Sequence, residues 1–271
     1  MSVFTKRTLG SLLGVCFFMA PTLSWADGEN WVGARSDDSY QYTWQNTVPG
    51  VDAICGGFAS KMNTYADSQK KFWAGLGNGD AFEEGTDDMT YGVDTVDLFM
   101  VCTHGRLWYN PDRFSLAMWY ENDRAFSNDM RLGDDDRGLS VFSAYSCSLM
   151  NVTSTTSTNM WNRWHPVFSG GLRAATGFAT EAYAWSNDAG TNYAEELHVS
   201  GRAIARAWVY TMDDYYLHKP TAVYTQKSYS TDPMLYGCGA RLNYMTLANY
   251  TTYPELADND ISTFCYYTIS E

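Results

Sequence analysis

A thiol and an imidazole each close a short apolar run in this chain. His104, with Gly105 directly after it, follows Val96-Asp97-Leu98-Phe99-Met100-Val101-Cys102-Thr103, and Ser146-Cys147 follows Leu139-Ser140-Val141-Phe142-Ser143-Ala144-Tyr145. Runs of this length and composition read as buried strands. If the two are parallel neighbours, both side chains leave the sheet at one carboxyl edge, which is where open α/β sheets place their sites. An imidazole that handles protons beside a thiolate that attacks is the equipment of nucleophilic catalysis, so the pattern implies a cysteine hydrolase. Gly105 adds to this, because a residue without a Cβ lets the main chain approach a substrate carbonyl. Cys147 would gain thiolate character from a helix N-terminus, provided that a helix starts there.

The elements that must position these residues follow from the apolar pattern. Tyr40, Tyr42 and Trp44 alternate as in a half-exposed strand, and Phe58, Met62, Tyr65, Phe72 and Trp73 are spaced as in a helix over 58–76. Residues 75–92 are rich in glycine and acids and read as a surface connection, with a strand over 93–103 after it. Residues 106–137 are long enough for a crossover helix or a structured loop between the two key strands. A third apolar run spans 172–180, and Ala194, Leu197, Ile204, Ala207, Trp208 and Met212 fit one amphipathic helix over 192–216. The alternation of strands and crossovers favours a parallel α/β core. Residues 221–226, 241–250 and 262–269 read as further strands of unassigned order.

Residues 1–26 read as a signal peptide. Lys6 and Arg7 precede an apolar stretch over 9–23, and Ser24-Trp25-Ala26 fits cleavage after Ala26. Gly10, Ser11, Pro21 and Thr22 interrupt a stretch already short for a bilayer span, so no stable membrane anchor is expected after cleavage. The expected location is periplasmic or extracellular. Residues 27–271 are enough for one α/β domain with a real core. The full chain has net charge −13, and removing two basic residues with the leader leaves 16 against 31 acids, or −15. Such a surface repels nucleic acid and anionic lipid. Five cysteines remain: Cys55, Cys102, Cys147, Cys238 and Cys265. An odd number in an oxidising compartment implies a free thiol or an intermolecular bridge. Cys147 is the candidate free thiol, and a Cys238–Cys265 bridge is compatible with their position in the C-terminal part.

Other chemistries find less support. His165, His198 and His218 lack metal-ligand spacing, and there is no His-Glu-x-x-His or paired Cys-x-x-Cys, so neither metal nor cofactor is expected. Asp134, Asp135 and Asp136 lack the spacing of a calcium loop and read as a solvated turn. Ser146 is not in a Gly-x-Ser-x-Gly elbow. Taken singly, a cysteine ending an apolar strand is more often a buried hydrophobe and a histidine more often structural; the pairing is what raises the catalytic reading. Aromatic residues make up 16% of the chain. An exported binding or adhesion domain with an aromatic groove, catalytically inactive, is therefore the alternative.

The order of apolar block, His104-Gly105, spacer, apolar block and Ser146-Cys147 resembles the caspase, gingipain, legumain and separase superfamily of cysteine peptidases. Gly201-Arg202-Ala203-Ile204-Ala205-Arg206-Ala207-Trp208 looks like the helix after the third core strand in bacterial relatives. Val93-Asp94-Thr95-Val96-Asp97, Leu132-Gly133-Asp134-Asp135-Asp136, Phe168-Ser169-Gly170-Gly171-Leu172 and Thr176-Gly177-Phe178-Ala179-Thr180 resemble, more narrowly, exported bacterial domains with a caspase-like core. Tyr145 between the apolar block and Ser146-Cys147, and Cys102-Thr103 ahead of His104, depart from the superfamily pattern. The resemblance implies a caspase-like three-layer sandwich with a mostly parallel central sheet. It implies Cys147 as nucleophile, His104 as the group that protonates the leaving amine, and the N–H groups of Gly105 and Cys147 as the oxyanion hole. The implied partner is a peptide or protein substrate, for which the acidic balance favours a basic residue before the scissile bond.

Overall fold

The computed structural model describes residues 30–36, 49–65, 68–74, 79–83, 92–107, 112–117, 124–134, 138–151, 157–184, 186–213, 218–227, 238–256 and 260–268. The leader at 1–26 and the strand expected around Tyr40 to Trp44 lie outside them. The strands are β1 (Asn30–Ser36), β2 (Ser68–Ala74), β3 (Leu98–Cys102), β4 (Gly105–Leu107), β5 (Phe114–Ala117), β6 (Arg124–Phe126), β7 (Val141–Tyr145), β8 (Ala174–Phe178), β9 (Pro220–Lys227) and β10 (Ile261–Thr268). The helices are α1 (Val51–Met62), α2 (Ser157–Phe168), α3 (Ala189–His198), α4 (Ile204–Met212) and α5 (Cys238–Tyr244).

Seven strands form one sheet in the order β10-β9-β8-β7-β3-β1-β2. The pairings β2–β1, β1–β3, β3–β7 and β7–β8 are parallel, and β9 is antiparallel to both β8 and β10. Every residue of β3, β7 and β8 is buried, as expected for parallel strands covered on both faces. Side chains alternate between two cores. Leu98, Met100 and Cys102 join α1, α3 and α4 on one face. Phe99 and Val101 join Trp164, Val167 and Phe168 of α2 on the other, together with Phe114 and Leu116 of a small sheet. The protein is a mixed α/β structure with a mostly parallel sheet and helices on both faces.

Several elements differ from expectation. The helix expected over 58–76 begins at Val51 and ends at Met62. Val51, Ile54, Cys55, Phe58, Ala59 and Met62 form its buried stripe, and the chain then turns at Thr64 and Tyr65 to enter β2. The aromatic pair Phe72-Trp73 thus belongs to a strand, because pairing with β1 overrides the local spacing. Residues 106–137 contain no crossover helix among those described: β4, β5 and β6 form an antiparallel sheet in the order β4-β5-β6. The single helix expected over 192–216 is two, α3 and α4, separated at Gly201, whose φ of +58° is left-handed. The strand expected over 241–250 starts instead as α5, which turns Arg241 inward. The strands expected near 221–226 and 262–269 are β9 and β10.

The helix pair α1/α3 is set by a glycine. A Cβ on Gly190 would lie 1.9 Å from the Ile54 carbonyl oxygen, so the two backbones touch at a distance only glycine allows.

Candidate active site at the carboxyl edge

Strands β3 and β7 pair from Leu98↔Val141 to Cys102↔Tyr145, a constant offset of 43 residues. Two residues further along the same register stand His104 and Cys147. The contact between the chains continues past the strand ends. The Thr103 N–H donates to the Tyr145 carbonyl at 3.3 Å, and the Ser146 hydroxyl donates to the Thr103 carbonyl. A Cβ on Gly105 would sit 2.6 Å from the Cys147 carbonyl oxygen and 3.0 Å from its nitrogen. The His-Gly main chain therefore lies directly against the Cys147 main chain, and a side chain at 105 would force them apart.

The small sheet fixes the histidine end of this junction. The His104 carbonyl accepts from the Ala117 N–H at 2.9 Å, and the Thr103 hydroxyl donates to the Ala117 carbonyl at 2.6 Å. In an antiparallel ladder bonded and non-bonded pairs alternate, so the next pair, Gly105↔Leu116, directs the Gly105 N–H away from β5. Behind it, a disulfide joins Cys102, the last residue of β3, to Cys55 of α1.

Cys147 opens a turn over 147–150. No helix starts there, because α2 begins only at Ser157, so the expected helix N-terminus does not act on the thiol. Ser148 is the only non-glycine with positive φ (57°) among the described residues, a local strain of about 1 kcal/mol. The turn is held from two sides. The Ser148 N–H donates to the Thr180 carbonyl at 2.7 Å and the Met150 N–H to the Phe178 carbonyl at 2.9 Å. From α2, fully buried Arg163 donates to the carbonyls of Asn151 at 2.9 Å and Leu149 at 3.4 Å, and the Trp164 indole donates to Leu149 at 3.3 Å.

The free cysteine among the described residues is Cys147, and it is half-buried. Its Sγ accepts from the Ala182 N–H at 3.3 Å and faces the Ala182 carbonyl at 3.6 Å, to which the S–H donates. Burial pushes the thiol up from its ordinary value and the negative charge of Glu181 adds to that, against the N–H groups of Ala182 and Cys147. These surroundings favour the protonated thiol over the thiolate. Cys265 is also disulfide-bonded, while the side chain of its expected partner Cys238 lies outside the described residues.

Residues 180–184, after β8, are the part of this edge that sequence reasoning missed. The rule that singled out the ends of β3 and β7 applies equally to the run that ends at Thr180. The Tyr183 N–H donates to Nε2 of buried His218 at 2.8 Å, its carbonyl accepts from the Tyr145 hydroxyl, and its phenol donates to the Glu181 carboxylate. Among the described residues no group of His, Cys, Asp and Glu is placed to hold a metal ion, and no helix is long and apolar enough to cross a membrane. Asp135 and Asp136 lie outside the described residues.

Fold and site together define an α/β protein with a mostly parallel sheet, two adjoining strands of which are followed, two residues on, by the imidazole of His104 and the free thiol of Cys147. The chain belongs to the family described as Domain of unknown function (DUF6345), whose model matches residues 30–267. No curated protein matches it.

Proposed function

We propose that the protein is an exported cysteine peptidase with a caspase-like fold, using Cys147 and His104. One observation carries this reading: the parallel β3–β7 register, continued two residues past Cys102↔Tyr145, gives His104 and Cys147 matching positions at the carboxyl edge, with the Gly105 main chain against that of Cys147. Two layers flanking the sheet support the finer fold reading. In the proposed reaction the Cys147 thiol gives its proton to the His104 imidazole and Sγ bonds to the carbonyl carbon of the scissile peptide, forming a tetrahedral oxyanion. The N–H groups of Gly105 and Cys147 receive that charge. Collapse breaks the C–N bond, and the imidazolium of His104 gives its proton to the leaving amine. Water then attacks the thioester carbonyl carbon while His104 takes a proton from the water; the C–S bond breaks, the acid leaves, and His104 returns the proton to Sγ to restore the thiol.

A second reading, a peptide-binding or adhesion protein without turnover, is favoured by one observation: the thiol is raised and engaged by both polar atoms of the Ala182 main chain. A peptide-library digest of the purified protein separates the two. Peptidase activity requires turnover that disappears in Cys147→Ala and drops at least about 100-fold in His104→Ala, with the fold of both variants intact. Turnover that survives either change removes the dyad. Peptide binding without turnover in wild type and Cys147→Ala alike establishes the second reading.

A further inference from the structure

The segment that grips the thiol also carries a carboxylate and an exposed aromatic ring. The nitrogen 3.3 Å from Sγ belongs to the Glu181–Ala182 peptide bond, which roots the Glu181 side chain within about 6 Å of the sulfur. Glu181 is exposed, and its carboxylate is oriented by the Tyr183 phenol. Tyr183 is 44% exposed although its main chain is pinned at both ends, by His218 and Tyr145. Its ring stacks on the His218 imidazole at 6.2 Å, with planes 6° apart. A large aromatic ring thus stands open to solvent on a main chain fixed at both its N–H and its carbonyl, one residue after the Ala182 backbone that contacts the candidate nucleophile.

We propose that Glu181 and Tyr183 form a subsite for a cationic side chain, taking up the ammonium or guanidinium of a lysine or arginine next to the scissile bond. The proposal rests on the peptidase reading and names its substrate class. The carboxylate supplies a charge-assisted hydrogen bond, and the ring adds a cation–π contact. The chain's net charge of −13 draws such substrates toward the surface. Glutamate or aspartate at the same position would meet the like charge of Glu181.

The test has two independent arms. In the first, Cys147 is modified with a trimethylammonium-bearing and a sulfonate-bearing methanethiosulfonate, and the ratio of rates is read by mass analysis. The cationic reagent should react about tenfold faster at low salt, and the ratio should fall toward that of free cysteine in Glu181→Gln. In the second, peptides differing only at the residue before the scissile bond are compared. The ratio of kcat/KM for Lys or Arg over Gln should exceed about 50 and fall at least tenfold in Glu181→Gln, with a smaller fall in Tyr183→Leu. A reagent ratio that Glu181→Gln leaves unchanged overturns the subsite, as does cleavage whose preference for Lys or Arg is absent or insensitive to the change. If no peptide is cleaved, the peptidase reading fails while the reagent ratio still decides for or against the cation site.

Discussion

Cys147 has a resting state that any function must accommodate. Its thiol lies between the N–H and carbonyl of one residue, Ala182, in surroundings that favour the protonated form. Alkylation by neutral iodoacetamide should therefore be slow at pH 7 and rise about tenfold per pH unit to a midpoint above the ordinary thiol value of about 8.5. A midpoint below that value, read by mass analysis of the Cys147 peptide, would show that the site lowers the thiol instead. The same shift has a sign in stability. The folded state holds the proton more tightly than the unfolded one, so the contribution is present below the unfolded value and is lost as pH rises toward the folded one. Cys147 and His104 drew attention in the sequence because each follows a mostly apolar run, and the parallel pairing of those two runs was legible there. The grip of Ala182 was not, since a backbone contact leaves no mark on residue type. Glu181 and Tyr183 were within reach of the same rule, being next after a third such run.

Among the elements, α1 and β3 are tied covalently, and the tie sits two residues before His104. The Cys55–Cys102 bridge closes a sequence separation of 47 residues, for which chain-entropy arguments give about 4 kcal/mol. Paired substitution Cys55→Ala with Cys102→Ala should lower the midpoint of urea unfolding by a corresponding amount, while leaving Cys147 the labelled thiol. Stability unchanged to within about 1 kcal/mol would mean that the closed loop is already restrained in the unfolded chain. Strand interiors were readable because burial on both faces demands continuous apolar residues, as in β3, β7 and β8. Boundaries depending on distant partners were not: 68–74 becomes a strand by pairing with β1, and 238–244 a helix that carries Arg241 inward. Nor did the Cys55–Cys102 pairing show in spacing, because it depends on α1 packing beneath β3.

Across the whole molecule, the two ends of the sheet are secured differently. At the carboxyl edge, turns pair with turns around the thiol. At the opposite end two arginines clasp the chain after α5. Arg173, beside Ser140 at the start of the sheet, donates to the Tyr253 carbonyl at 2.8 Å and pairs with Glu255 at 2.8 Å, while Arg241 donates to the Pro254 carbonyl at 2.7 Å. Arg241→Met removes a buried donor and should cost about 2–4 kcal/mol, with hydrogen exchange rising first in 246–256. Exchange that stays uniform would show that this stretch is held by its apolar contacts instead. The α/β class was legible from the alternation of strands and crossovers. The small sheet was hidden in a polar, aromatic stretch whose three- and four-residue strands are too short for a periodic signal.

The parallel register also has a consequence in time. Joining β3 to β7 closes a loop of 43 residues, and joining β1 to β3 one of 66. Loop closure of that size must be completed before its contacts reward it, so a sheet of this kind forms slowly compared with one built from hairpins. The thiol and the imidazole therefore meet only after distant parts of the chain have found each other, and no short fragment of the sequence carries the edge on its own.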